Sequence, residues 1–441
     1  MVDFKYSIIY CSTKNHGVGI EGRYNKWSIN DELRMLKKIN VDSLLLIDSV
    51  TFSNFSTLKN RNVIITPEPG MDFESTINKV KKNNHTNVSI ICGSEIYENV
   101  FEYGIRNNCI KKIHVSILND AYICNKFVVP RYFTINEMEE HGNFTHYTLD
   151  PTYTSENLYL TLLRDVYNKG SIRVGRNGIT RSMFGKNLSF DLRKGFPLLT
   201  TKRMFFRGVV EELLFFIRGD TDSSILEDKK VNIWKGNTSR EFLNSVGKNN
   251  RKVGVMGPMY GYQWRNYGAL YDEKSAGPLT KGLDQLKEVV EKIKSDPGSR
   301  RILLTDFNPL QAECGVLYPC HSIILQFYVN NGYLDMYCFN RSSDLFHGLP
   351  FNIASSALFL ELVSMITGLI PRHFSLSLGD SHIYDEHKYA VEEQLSRYPF
   401  NLPVLNFKKV SSIEEVEKMT ASDFTINNYV HHSSIKVPMV A

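Results

Sequence analysis

The chain is poor in tryptophan, with 3 among 441 residues, and its 7 cysteines are scattered rather than paired. Cys11, Cys92, Cys109, Cys124, Cys314, Cys320 and Cys338 include no Cys-x-x-Cys unit. An odd, widely spaced set excludes a disulfide framework and a zinc site, so no metal is expected. Free thiols fit a reducing compartment, and the expected location is cytoplasmic. The opening residues, Met1-Val2-Asp3-Phe4-Lys5, lack the apolar stretch of a signal peptide. No apolar run reaches spanning length, so no membrane partner is expected. The formal net charge of +5 is a mild excess over this length and gives no nucleic-acid footprint, so no DNA partner is expected. Internal repeats and low-complexity tracts are absent as well.

What is present fits a globular protein: 42% hydrophobic and 22% charged residues. The length exceeds one ordinary core and implies two domains. Residues 1–150 alternate strand-like runs (Tyr6–Cys11, Ser43–Ile47, Asn62–Thr66, Val88–Cys92, Lys112–Leu118, Phe144–Leu149) with helical stretches such as Ile29–Ile39 and Phe73–Lys82. That alternation predicts an α/β domain. Residues 151–155 read as a linker, and 156–441 as a second, α+β domain. There Gly208–Ile217 and Leu283–Lys294 are amphipathic helices, and Asp296-Pro297-Gly298 stops the second. Ile353–Thr367 is a long apolar helix. Arg301–Asp306, Ser322–Asn330 and Tyr333–Phe339 are strands, with Asn330-Asn331-Gly332 a hairpin turn between the last two.

Cys320 stands in Tyr318-Pro319-Cys320-His321. A lone cysteine is most often a buried, inert one. A reactive thiol needs a lowered pKa, and neighbouring cations provide it. The second domain has such cations in Arg176, in Arg300-Arg301 and in Asn340-Arg341-Ser342-Ser343-Asp344. Guanidinium forks also suit a phosphate.

These residues lie among a longer ordered set. Phe196-Pro197-Leu198-Leu199-Thr200-Thr201-Lys202-Arg203, Glu212-Leu213-Leu214-Phe215-Phe216-Ile217-Arg218-Gly219-Asp220, Gly257-Pro258-Met259-Tyr260-Gly261-Tyr262-Gln263-Trp264-Arg265, Pro319-Cys320-His321, Gly348-Leu349-Pro350-Phe351-Asn352 and Gly379-Asp380-Ser381-His382-Ile383-Tyr384 follow one another. From about residue 156 onward the chain resembles the thymidylate synthases. The resemblance implies that Cys320 attacks C6 of dUMP, and that C5 then takes the methylene and a hydride from 5,10-methylenetetrahydrofolate. Arg176, Arg341 and Ser342 would hold the nucleotide phosphate, with Arg300 and Arg301 reaching in from the other subunit of a homodimer. Asp344 would also bind dUMP, Asn352 would hydrogen-bond the uracil edge, and His382 and Tyr384 would hold the ribose. Glu212 would organise proton transfers, and Tyr260 would help remove the C5 proton. Trp234, Asp344, Gly348 and Ala441 would border the folate. The pattern departs from the family at Gly175, in a phosphate loop one residue short, and at Asn340 in place of Gln.

In the first domain Gly17-Val18-Gly19-Ile20-Glu21-Gly22 formally fits a dinucleotide-binding fingerprint. The residues that follow, Arg23-Tyr24-Asn25-Lys26-Trp27, read as loop rather than helix, so that reading fails. The segment through Trp27-Ser28-Ile29-Asn30-Asp31-Glu32, together with Arg61, Gly93-Ser94-Glu95-Ile96-Tyr97 and Ser116, is similar to dihydrofolate reductase instead. The resemblance implies Glu32 as the pterin acid, supported by Ser116, and Arg61 on the folate tail. It also implies an NADPH site at Thr51, Gly93, Ser94 and Tyr97. The family's NADPH-facing arginine is Ser49 here, next to Asp48. Cys92 replaces the first glycine of a Gly-Gly pair, and Tyr10 replaces a small residue beside the pterin. Two readings follow: a working reductase fused to a synthase, or a synthase with a retired reductase acting as scaffold. A pyrimidine hydroxymethylase shares the synthase fold, but those acting on cytosine nucleotides have Asp in place of Asn352.

Overall fold

The computed structural model describes residues 4–14, 16–19, 43–54, 62–66, 72–91, 96–119, 122, 124, 126–127, 133–152, 154–175 and 178–438. The chain divides into two compact units. Met1–Thr154 with Ser396–Asn401 make the first, and Ser155–Leu395 with Leu402–Ala441 make the second.

The first unit is built on a seven-stranded sheet, in the order Val63–Ile65, Leu44–Ile47, Val88–Ile91, Tyr6–Thr13, Ile110–Leu118, Phe144–Asp150, Thr134–Glu140. The first five strands run parallel and the last two are added antiparallel. This is the expected α/β architecture. Leu44–Ile47 and Val88–Ile91 are buried along their whole length, as strands covered on both faces must be. The helix Phe73–Lys82 begins where Asp72 accepts the Ser75 amide at 2.7 Å, and it buries Phe73, Thr76, Ile77 and Val80 along one stripe. Tyr97–Arg106 is an amphipathic helix that packs Val100, Phe101 and Tyr103 into the core. Thr134–Glu140 pairs with Phe144–Asp150 as an edge strand. Gly17–Gly19 pairs with Lys126–Phe127 as a short strand. The expected helix Ile29–Ile39 lies outside the described residues.

The second unit packs helices on a six-stranded mixed sheet, in the order Ser171–Gly175, Gly178–Asp191, Ile370–Tyr384, Tyr333–Asp344, Ile324–Asn330, Leu303–Thr305. Asn331 and Gly332 both take positive φ, at 50° and 80°, in the expected tight hairpin. The central helix is Gly348–Thr367 and starts earlier than expected. Pro350 is tolerated there because first-turn amides have no helical acceptor to lose. By length and mean hydropathy this helix is long enough to cross a membrane, but it is buried in the unit's core from Leu349 to Ile366. The opposite sheet face is unusual. On Ile324–Asn330, Leu325 and Phe327 point inward, while Ile324 and Tyr328 are exposed. Phe184, Leu303 and Tyr337 are exposed as well.

Candidate active site

A cavity of about 670 Å³ opens in the second unit. Cys320 sits in its wall, and its carbonyl accepts the amides of Arg341 (2.9 Å) and Ser342 (3.3 Å), which ties the loop to the neighbouring strand. Ser322 then turns the chain at φ 55°, and its amide donates to Asn340 Oδ1 at 2.9 Å. Behind the thiol stands Tyr260, whose hydroxyl lies 3.5 Å from Cys320 Sγ. Tyr260 is held at φ 45° by the close approach of the next residue to a helix. A Cβ on Gly261 would stand 2.1 Å from the carbonyl oxygen of Phe216 in the helix Phe206–Arg218, so only glycine fits. The Tyr260 ring stacks on His321 at 4.4 Å and touches Phe216 and Trp234. Trp234 Nε1 donates to Glu212 Oε1 at 2.8 Å, extending the layer from the thiol to a carboxylate.

Burial pushes the Cys320 thiol up, against the lowering effect of the Tyr260 hydroxyl and of Arg341. Burial also pushes the Glu212 carboxyl up to about 7 despite the Trp234 hydrogen bond. It pushes His321 down to about 4, so that ring is neutral. Tyr260 is driven well above the usual phenol range, by burial first and then by Cys320.

Of the residues expected from sequence, Cys320, Arg341, Ser342, Asp344, Gly348, His382 and Tyr384 line the cavity together. Arg341 lies over the Tyr318 ring at 5.2 Å and donates from Nε to the Pro319 carbonyl at 3.1 Å, which aims the guanidinium. His382 Nδ1 meets Asp380 Oδ1 at 2.9 Å. Asn352 is not in the wall; it lies one helical turn beyond Gly348. Arg300 and Arg301 are exposed and do not line their own chain's cavity. Arg176 and Ala441 lie outside the described residues. The cavity also holds Arg173, Asn237, His347 and Asp380, which sequence reasoning did not single out. Arg173, which donates to Asp380 Oδ2 at 2.8 Å, was hidden by its nearness to Arg176.

In the first unit Glu32, Arg61, Gly93 and Ser94 lie outside the described residues, as do the side chains of Thr51 and Tyr97. Ser116 is buried and its hydroxyl shares a hydrogen bond with His146 Nδ1 at 3.2 Å. Tyr10 is buried too, edge-on to Phe101, with its hydroxyl 3.1 Å from that of Tyr398.

Comparison with known proteins adds an independent line. Residues 157–441 match the family model of thymidylate synthase, and residues 5–152 that of dihydrofolate reductase. A bifunctional dihydrofolate reductase-thymidylate synthase of Zea mays is 32% identical over 98% of this chain and 96% of its own. One of Paramecium tetraurelia is 33% identical over 98% of each. A putative one of Oryza sativa subsp. japonica is 42% identical over 64% of this chain and 56% of its own.

Proposed function

Because this chain belongs to the family of bifunctional dihydrofolate reductase–thymidylate synthases, we propose which of its residues carry the two reactions. The synthase half makes dTMP and dihydrofolate from dUMP and 5,10-methylenetetrahydrofolate. The reductase half returns dihydrofolate to tetrahydrofolate, with NADPH supplying the hydride. Both halves match their families, so a retired reductase is not favoured, and neither is a hydroxymethylase.

In the synthase half Cys320 is the nucleophile. Its proton passes to Glu212 through the layer behind the thiol, Tyr260, at hydrogen-bond distance, stabilises the sulfur anion, and the thiolate adds to C6 of the pyrimidine. Arg341 and Ser342, with Arg176, take the phosphate, and Arg173 adds a further cation beside them. His382 and Tyr384 take the ribose. Glu212, titrating near neutrality, accepts and returns protons through the layer behind the thiol. Trp234, Asp344, Gly348 and Ala441 face the folate, and Asn352 reads the uracil edge. In the reductase half Glu32 holds the pterin, Arg61 the folate tail, and Thr51, Gly93, Ser94 and Tyr97 the NADPH.

The exposed apolar sheet face of Ile324, Tyr328, Tyr337 and Phe184 supports a homodimer, since a solvated face is ordinarily polar. In it Arg300 and Arg301 cross to the partner's phosphate site. Free thiols at Cys320 and Cys338 suit a cytoplasmic location.

The observation that carries the synthase reading is the Tyr260–Cys320 contact inside a wall bearing Arg341 and His382. Cys320→Ser is expected to abolish dTMP formation while dUMP still binds; persistent turnover overturns the mechanism. Mixing Cys320→Ser chains with chains carrying Arg300→Glu and Arg301→Glu should restore activity through one intact hybrid site. No restoration overturns the crossing arginines. NADPH oxidation by purified protein supplied with dihydrofolate tests the reductase half, and no turnover overturns it.

A further inference from the structure

The C-terminal strap runs along the second unit and is fastened at several points. His432 N donates to the Thr200 carbonyl at 2.8 Å, and Ile435 and Val437 pack on the core. Its last described carbonyls, those of Val437 and Pro438, each face a histidine. His347 Nε2 is 3.3 Å from Val437 O, and His387 Nε2 is 2.9 Å from Pro438 O. A carbonyl only accepts, so both rings donate from Nε2. Pro438 fixes its own φ and restricts Val437 to extended backbone, which holds the two carbonyls in a set relation.

The two rings belong to one cluster, with centroids 5.3 Å apart at 70°. His387 is fully buried against Phe346 and Tyr384, with Nδ1 4.0 Å from Asp344 Oδ2. Asp344 Oδ1 accepts the amides of Phe346 and His347, so one carboxylate orders the loop that carries the first ring and faces the second. Asp344 and His347 also line the cavity. The ring of His347 therefore touches the cavity on one side and the strap on the other.

We propose that His347 and His387 form a two-point clamp on the strap, and that His347 is a positioning residue that links strap placement to the folate side of the cavity. The link to folate rests on the function proposed above; the clamp itself does not. Each hydrogen bond contributes modestly, so its loss costs a few-fold to about tenfold in affinity. His347→Leu removes the donor at similar size. His347→Gln restores one, because its amide nitrogen donates from nearly the same reach as Nε2. His347 is only half-buried, which makes these variants safer for folding than changes at His387.

Hydrogen exchange of the full chain without ligands reads the clamp directly. Amides of residues 433–437 should exchange faster in His347→Leu, by about threefold to tenfold, and return toward the parent rate in His347→Gln. Equal rates in all three overturn the clamp. In turnover assays KM for the methylene-folate should rise by a similar factor in His347→Leu, more than KM for dUMP, with rescue in His347→Gln. Faster exchange with an unchanged folate KM overturns the link while leaving the clamp. An inactive parent protein counts against the proposed function, not against the exchange result.

Discussion

Glu212→Gln should make the enzyme more stable and nearly inactive, and the gain in stability should depend on pH. The carboxyl ordinarily titrates at 4.5, and burial pushes it up to about 7. A folded acid with a raised pKa binds its proton more tightly than the unfolded chain does. Stability is therefore lost as pH rises from about 4.5 toward 7, and the full cost is present above that range. At about 1.4 kcal/mol per pH unit, ionising Glu212 in place costs about 3 kcal/mol at pH 8 and under about 1 kcal/mol at pH 5. Glutamine never ionises, and its Oε1 still accepts from Trp234 Nε1. Urea unfolding followed by the fluorescence of Trp234 and Trp264 should show a gap between variant and parent that widens by about 2–3 kcal/mol from pH 5 to pH 8. Turnover to dTMP should fall by about 10²–10⁴ if Glu212 moves protons in the reaction. A stability gap equal at the two pH values would refute the idea that burial holds this acid near neutrality. Full activity in the variant would refute its role as proton carrier.

Three further outcomes follow from single features. Asp306 is 1% exposed, neither carboxyl oxygen has a hydrogen-bond partner among the described residues, and burial drives its pKa well up. Asp306→Asn should therefore stabilise the synthase unit by about 1–3 kcal/mol in urea melts, more at pH 8 than at pH 5. The same variant should speed alkylation of Cys320 at pH 8, because Asp306 is among the groups that raise the thiol. In the reductase unit His114 and His146 stack at 5.9 Å and are each pushed down to about 4, by burial first. Their neutral forms are favoured on folding, so stability is present above 6.5 and lost as pH falls toward 4, on the order of 3 kcal/mol per ring at most. Circular-dichroism melts from pH 7 to pH 4.5 should show this unit failing first, and His146→Gln should flatten its pH dependence.

Legibility from sequence followed the physics of each segment. Phe73–Lys82 emerged with the same ends because its stripe and its Asp72 cap are local signals. The Asn331-Gly332 hairpin was equally local, since both positions need positive φ. The start of Tyr97–Arg106 was legible through the reductase resemblance, in which Gly93-Ser94-Glu95-Ile96-Tyr97 is a strand–turn–helix. The return of Ser396–Asn401 to the first unit has no local mark at all; Tyr398 and Phe400 enter that unit's core across a long stretch of intervening sequence. At the site, motif order identified Cys320, Arg341, Ser342, Asp344, Gly348, His382 and Tyr384, which the fold does gather around one cavity. Arg173 and His347 carry no motif of their own, and only the fold brings them there. The direction of the thiol's shift was also illegible, because it depends on how burial weighs against the Tyr260 hydroxyl and the Arg341 guanidinium.

Unfavourable features gather around Cys320. Tyr260 takes φ 45° and Ser322 takes φ 55°, conformations that L residues rarely adopt, and both lie within two residues in sequence or one hydrogen bond of Cys320. Such backbone costs on the order of 1–3 kcal/mol per residue and persists only where the surroundings over-determine it. Glu212 and Asp306 keep raised carboxyls near the same thiol, and Cys320 is itself raised. None of these stabilises the fold. The surrounding core offsets them: Phe216 and Trp264 wedge against the Tyr260 segment, and the buried Glu156 takes hydrogen bonds from the amides and hydroxyls of Thr200 and Thr201. The two groups of residues should therefore respond oppositely to substitution. Changes at Glu212 or Asp306 should raise stability, whereas Glu156→Ala strands four donors and should lower it by several kcal/mol, of order 3–5. If Glu156→Ala proved neutral in the same urea melts, the contrast between a strained site and a satisfied frame would fail.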